Sequence, residues 1–276
     1  MNNTYISTES FLVVLDSRNA TTYNNGSMHS DITFEIADAV VMSKECIEMK
    51  MVVSTFTCPI SFYQINSTNC LIQLSILSAF YNYNMPYGNY NVNTFTSTLL
   101  ALIPSGFTLT TNLITNRFTM GYTQNFQITA KTTMYDILGL AMNTAYSSTS
   151  LSLLCPYVFN MAGLNSLNIV CANVSTKNID SHDKSVSSIL AAVPINGAAN
   201  GMIYYEKKND FDMRIRQPSI DYFDIELQDD LGNLINLNNK HFNLVLQITM
   251  MCELPRMVDT FHSILDSGIS PTFEHN

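Results

Sequence analysis

Apolar and polar residues alternate with a period of two along much of this 276-residue chain. That spacing buries one face of an extended strand and leaves the other in water. Ile32, Phe34 and Ile36 alternate with Asp31, Thr33 and Glu35. Ile47, Met49, Met51 and Val53 then read as inward, against Glu48 and Lys50. Cys70, Ile72, Leu74 and Ile76 repeat the pattern with Gln73 and Ser75 opposite. A short apolar run, Phe11 to Leu15, precedes them as a strand. Further strands are expected at 107–109, 117–120 and 125–128, and as buried runs at 167–171, 188–194 and 201–205. Near the end, Ile220, Tyr222, Ile225 and Leu227 form the apolar side of a strand that leads into the turn Asp229-Asp230-Leu231-Gly232-Asn233. Phe242, Leu244, Leu246, Ile248 and Met250 then mark a long core strand, and the two strands together look hairpin-like.

Two stretches break this rhythm. After the Pro86-Tyr87-Gly88 turn, Phe95, Leu99, Leu102 and Ile103 recur at helical spacing. That predicts one helix of about ten residues, capped by Asn93 or Thr94 and stopped before Pro104 or Gly106. A helical turn fits 133–138, ended by Gly139. The small, polar stretch 141–152 reads as an exposed loop, and 175–187 as a polar connection. The pattern predicts an all-β chain with one or two short helices.

Composition narrows the function. Charged residues make up 13% of the chain, against an ordinary share of about 25%. Asn, Thr and Ser supply the polarity instead, and such a surface associates without desolvating much charge. An AT-rich coding sequence would also enrich Asn, Ile and Tyr, and the two explanations are compatible. The net charge of −9, with only Lys207-Lys208 and Arg214/Arg216 as short basic groups, speaks against direct nucleic-acid binding. Neither a signal peptide nor a transmembrane run is evident, so synthesis in the cytoplasm is the expectation.

Candidate chemistry is sparse. Ser181-His182-Asp183 has the residue types of a catalytic triad, but triads are assembled from distant positions, and a polar loop is the plainer reading. Asp221, Asp224, Glu226, Asp229 and Asp230 form the densest acidic group, read as a solvated strand face running into a turn. The six cysteines lack C-x-x-C spacing; Cys46, Cys70 and Cys171 read as small buried hydrophobes. The five histidines show no metal-ligand spacing. No catalytic, cofactor-binding or metal-ligating residue is therefore assigned, and no cofactor is expected.

Three stretches carry a family resemblance. They are Asp16-Ser17-Arg18-Asn19 with the following Gly/Ser-rich segment and the strand 30–34; Met85-Pro86-Tyr87-Gly88-Asn89-Tyr90 followed by a helix, strands and Tyr135-Asp136-Ile137-Leu138-Gly139-Leu140; and Ile220 to Asn238, a strand, an Asp-rich turn and a Leu-Asn pair. In this order they resemble the jelly-roll minor capsid and penton proteins of large double-stranded DNA viruses, virophages and related elements. The chain departs from that pattern in having no Trp, which the family often carries near 238–241.

The resemblance implies a jelly-roll β-sandwich with an eight-stranded core plus extra strands. Residues 1–254 would form that domain, with an inserted strand-helix region around 85–150, and 255–276 would be a C-terminal extension. It also implies a structural role in the virion as a homo-oligomer, a pentamer at the vertices, touching the major capsid protein. The alternatives are a receptor- or glycan-binding jelly roll, using aromatics between Tyr81 and Tyr90, and a carboxylate-dependent hydrolase on a β scaffold.

Overall fold

The computed structural model describes residues 6–174, 178–179, 186–207, 213–215 and 217–253. In chain order the elements are β1 (Ile6–Asp16), β2 (Thr22–Tyr23), β3 (Asp31–Val41), β4 (Cys46–Pro59), β5 (Leu71–Ile76), β6 (Ala79–Asn84) and α1 (Val92–Leu102). There follow β7 (Thr108–Asn112), β8 (Arg117–Gly121), β9 (Phe126–Ile128), α2 (Tyr135–Leu138), β10 (Tyr146–Ser147), β11 (Ser152–Leu154) and β12 (Ser166–Cys171). The last are β13 (Asn178–Ile179), β14 (Val186–Ser187), β15 (Ile189–Pro194), β16 (Met202–Glu206), β17 (Met213–Ile215), β18 (Ser219–Gln228) and β19 (Asn243–Glu253).

The chain divides into two compact units. The first comprises Met1–Pro59, Leu167–Val193 and Met202–Asn276. One of its sheets has the order β1-β19-β4-β16, with β17 also on β4; the other has the order β15-β12-β18-β3-β2. Its eight principal strands, taken in sequence, are β1, β3, β4, β12, β15, β16, β18 and β19. On that count the first sheet reads 1-8-3-6 and the second 2-7-4-5. This is the strand order of a jelly roll, two Greek keys folded together. Each sheet buries one row of side chains: Met49, Met51, Phe56, Leu244, Leu246 and Ile248 in the first, and Ile32, Phe34, Ile169, Phe223, Ile225 and Leu227 in the second.

Two strands depart from the expected inward rows. In β18 the pairing with β3 shifts register between Ile220 and Tyr222. Across that shift β18 advances two residues while β3 advances five; Phe223 enters the core in place of Tyr222, which is exposed, while Ile220, Ile225 and Leu227 are buried as expected. In β4, Ile47 faces solvent and Cys46 is buried, next to a register shift against β19 at Met251/Cys252. A second shift, at Val245/Leu246, moves the buried set from Met49, Met51 and Val53 to Phe56 and Cys58. Nor are β18 and β19 a hairpin. They lie in different sheets, because the turn after β18 carries the chain across the sandwich.

The second unit comprises Ile60–Ser166 and Pro194–Gly201, so it contains the 85–150 stretch and reaches beyond it on both sides. It has two small antiparallel sheets, β10-β9-β5-β6 and β11-β8-β7. Both pack with α1 around Phe95, Leu99, Phe118, Met120, Ile72 and Leu74. The cap of α1 is Asn91, two residues earlier than expected: its side-chain carbonyl accepts from the backbone N–H of Asn93 and Thr94. The Thr94 hydroxyl accepts from the Asn91 N–H, completing a capping box. At α2, Gly139 supplies the left-handed residue that ends the turn, at φ 72°. Part of the expected 141–152 loop forms the short strand β10. The expected extension 255–276 and the triplet Ser181-His182-Asp183 lie outside the described residues.

Candidate functional site

A polar cluster of the first unit forms where β1 ends and β19 begins. At the end of β1 the chain turns sharply, because the Asp16 carboxylate accepts from both the backbone N–H and the guanidinium of Arg18. The next residue, Ser17, is fully buried. Its N–H donates to the Phe242 carbonyl at 3.0 Å, its hydroxyl accepts from the Phe242 N–H at 2.9 Å, and its carbonyl accepts from the Tyr23 hydroxyl at 2.6 Å. The Ser17 hydroxyl also lies 3.3 Å from His241 Nδ1.

His29 enters this cluster from the loop before β3, with a left-handed backbone at φ 56°. Its ring packs at a tilt against Tyr23 at 4.5 Å and against His241 at 4.9 Å between centroids. Met28 and Ser27 carbonyls accept from the N–H groups of Leu237 and Asn239, which hold the two loops side by side. Two buried polar atoms, His29 Nδ1 and Asn25 Oδ1, have no hydrogen-bond partner among the described residues. Burial lowers the His241 pKa below 6.5, and nearby His29 and Arg18 lower it further. The Arg18 hydrogen bond lowers that of Asp16.

A serine beside an imidazole is the start of a hydrolytic site, but two parts are missing from this one. The serine hydroxyl has no exposed surface for a substrate carbonyl to approach. The carboxylate nearest the pair is clamped by Arg18 instead of orienting the imidazole. The arrangement is a buried clasp joining two loops. Scattered spacing concealed it: His29 and His241 sit far apart in sequence, and only the adjacency of β1 and β19 brings them together.

Three of the five acidic residues of β18 and its turn are held locally. Asp224 accepts from the Thr33 hydroxyl at 3.1 Å, and Glu226 from the Gln228 amide at 2.6 Å. Both oxygens of Asp229 are engaged within the turn, by Leu231, by the Asn233 N–H and by the Asn233 side chain. Among the described residues no three His, Cys, Asp or Glu side chains converge as metal ligands. Cys46 and Cys252, which neighbour each other across β4 and β19, form a disulfide, so the reading of Cys46 as an isolated hydrophobe is corrected. Cys58, Cys70, Cys155 and Cys171 are free and buried. Burial pushes the Cys58 and Cys171 thiols up to about 12 and Cys155 to about 11.

In the second unit a cavity of about 260 Å³ is lined by Ile60, Phe62, Gln64, Tyr90, Met161 and Ile195 among others. The polar groups of its wall are already paired: Gln64 Oε1 accepts from the Tyr90 N–H, and the Asn89 side chain accepts from the Gln64 N–H. Of the aromatics between Tyr81 and Tyr90, Tyr81 and Tyr87 are exposed, whereas Tyr83 and Tyr90 lean on the core.

No protein-family model matches this chain, and no curated protein matches it. Among solved structures it is similar to the crystal structure of the selenomethionine-labelled mavirus penton protein. The match has 11% identity and a TM-score of 0.48, and covers 88% of this chain and 99% of that one. The jelly-roll order of the first unit stands on its own strand pairings. No helix among the described residues is long and apolar enough to cross a membrane.

Proposed function

We propose that this chain is a non-enzymatic structural protein of a virion, a minor capsid or penton subunit. In this reading it assembles with copies of itself, as a pentamer at the vertices, and contacts the major capsid protein, having been made in the host cytoplasm. The jelly-roll strand order and the three stretches of sequence resemblance support the reading. Fold alone does not, since jelly rolls also serve lectins and enzymes.

The observation that carries it is the state of β1. This strand pairs with β19 over eleven consecutive residues without a bulge, and among the described residues nothing pairs with its other edge. Between Glu9 and Asp16 it holds no charge, and its outward side chains Leu12 and Val14 are 61% and 69% exposed. Soluble monomers protect such edges with charge, proline or bulges. An edge left long, flat and apolar suits a surface that another protein covers.

Native mass measurement of the purified chain, with imaging of particles, tests this. A species of about 155 kDa, five times 30.9 kDa, found at particle vertices is the expected result. A strict monomer absent from particles overturns it.

A further inference from the structure

Charge is unevenly divided along this chain. It has 13 Lys and Arg and 22 Asp and Glu, and of these only Arg117, Lys131 and Asp136 fall in the second unit. Lys131 is exposed, whereas Arg117 is held on the Cys155 carbonyl and Asp136 on the Asn160 amide. The acidic excess therefore belongs to the first unit. Copies of a chain with a net charge of −9 repel one another, and the second unit is the part over which two can meet with least repulsion.

The hairpin β7–β8 of this unit ends in a four-residue turn, 113–116. Solvent-facing turns favour Gly, Asn, Asp, Ser and Pro, yet this one leads with Leu113 and Ile114. They are 77% and 94% exposed, and Ile114 is the most exposed large apolar side chain among the described residues. The turn is nonetheless fixed. Asn112 Oδ1 accepts from the N–H groups of Ile114 and Thr115 at 2.9 and 3.1 Å. Asn116 takes a left-handed backbone, φ 49°, and its carbonyl accepts from the Phe159 N–H at 2.9 Å. Two aliphatic side chains are thus held out from the end of a hairpin whose own hydrogen bonds set its shape.

The same unit carries a recess. Ile60 and Phe62 are buried beneath the cavity of about 260 Å³, and Met161, Leu164 and Ile195 are its half-buried walls. Exposed Ala162, Gly197, Ala198 and Ala199 border it, and such small residues leave its entrance open. None of the lining residues is charged. The side-chain carbonyls of Gln64 and Asn89 are taken up by backbone N–H groups, and the Tyr90 hydroxyl donates to the Pro86 carbonyl. Small-molecule pockets run from about 300 to 1,000 Å³ and present a few unused polar groups to their ligand. This cavity is smaller, and its lining suits one or two aliphatic side chains instead.

We propose that Leu113 and Ile114 of one copy of the chain seat in this cavity of another copy. The inference rests on the self-assembling reading above and names a contact for it. Ile114, being 94% exposed, does not occupy the cavity of its own chain. Seating it in a neighbour removes apolar surface from water on both sides of the contact. No charge is desolvated, since neither the tip nor the cavity bears one and Arg117, at the foot of the tip, is held on the Cys155 carbonyl. A turn fixed before association also loses little conformational freedom on docking. Because tip and cavity are different surfaces, each copy offers one of each, and the contact can repeat head to tail until a ring closes.

The test is cross-linking between two single variants of the full chain, Ile114→Cys and Ala198→Cys, with a short bis-maleimide. Four native cysteines are buried and the other two form a disulfide, so the introduced thiols are the accessible ones. Mixed before assembly, the two variants are expected to give a product of about twice 30.9 kDa that neither gives alone. Ile114→Asp is expected to weaken self-association about tenfold by sedimentation velocity. Thr110→Asp, exposed on the same hairpin, adds the same charge and is expected to leave association unchanged. An unchanged melting temperature shows that each variant is folded. Full-strength assembly of Ile114→Asp, equal weakening by Thr110→Asp, or a product formed as readily by one variant alone overturns this contact and leaves the self-assembling reading standing. A native chain that is monomeric at every concentration overturns both.

Discussion

The imidazole rings of His29 and His241 pack at a tilt of 39° with their centroids 4.9 Å apart, one from the loop before β3 and the other from the residue two before β19. His241 is kept neutral there by burial first, then by His29, Arg18 and Lys240, with Asp16 pulling the other way. A histidine whose folded pKa lies below its unfolded value contributes stability that is complete above the unfolded pKa, about 6.5, and is lost as pH falls through the folded pKa.

The melting temperature is therefore expected to hold steady above pH 6.5 and to drop as the pH goes below it. Asp16 is shifted down from 3.8, so its contribution is present above that value and is lost only at lower pH. Of these two groups, the one whose contribution starts to fall just below 6.5 is His241. Thermal melts of the native chain and of His241→Gln across this range check the point, with a shallower slope expected in the variant. Equal slopes refute it.

The Cys46–Cys252 disulfide closes a loop of 206 residues and joins strands that already pair. Reduction, or Cys46→Ser, is expected to lower stability by about 2–4 kcal/mol. Cys58 and Cys171, with thiols pushed up to about 12, are expected to resist alkylation in the folded protein near pH 8. Mass spectrometry with and without denaturant reads both.

Gly139 and Gly232 make a controlled pair. Both have left-handed backbones, φ 72° and 81°. A Cβ on Gly139 would run into the Tyr157 carbonyl, whereas on Gly232 it would meet nothing within 4 Å. Gly232→Ala is expected to cost only the conformational penalty, about 1 kcal/mol. Gly139→Ala should cost clearly more, and chemical denaturation of the two variants side by side measures the difference.

The register shift in β18 has its own test. Phe223→Ala removes a fully buried ring and is expected to cost about 3–5 kcal/mol. Tyr222→Ala, on the exposed side, should cost under about 1 kcal/mol. The reverse order would restore the simple alternation and remove the bulge.

Leu12→Lys with Val14→Lys places two charges on the free edge of β1. The chain is expected to fold with little change in melting temperature, while self-association falls at least tenfold by sedimentation velocity. An oligomer unaffected by both changes would move the contact elsewhere.

These contrasts show what a one-dimensional reading captures. Alternation at Ile32/Phe34 and at Leu244/Leu246/Ile248 announces strands because burial on one face needs only local spacing. The register shifts at Ile220/Tyr222 and at Val245/Leu246 escape it, since an inserted residue matters only against a partner strand that the pattern does not name. The pairing of β1 with β19, and with it the Ser17–His241 contact and the Cys46–Cys252 bond, is fixed by a topology linking opposite ends of the chain.

Because Ile6 stands opposite Glu253 in the β1–β19 ladder, a protein engineer meets these two positions, 247 residues apart in sequence, at a single spot. A bridging peptide of modest length would close the backbone into a ring, which could then be cut open at an exposed hairpin such as 112–116. Tags attached at either position would emerge side by side, so a fluorescent donor and acceptor placed there would report whether that corner of the sheet frays.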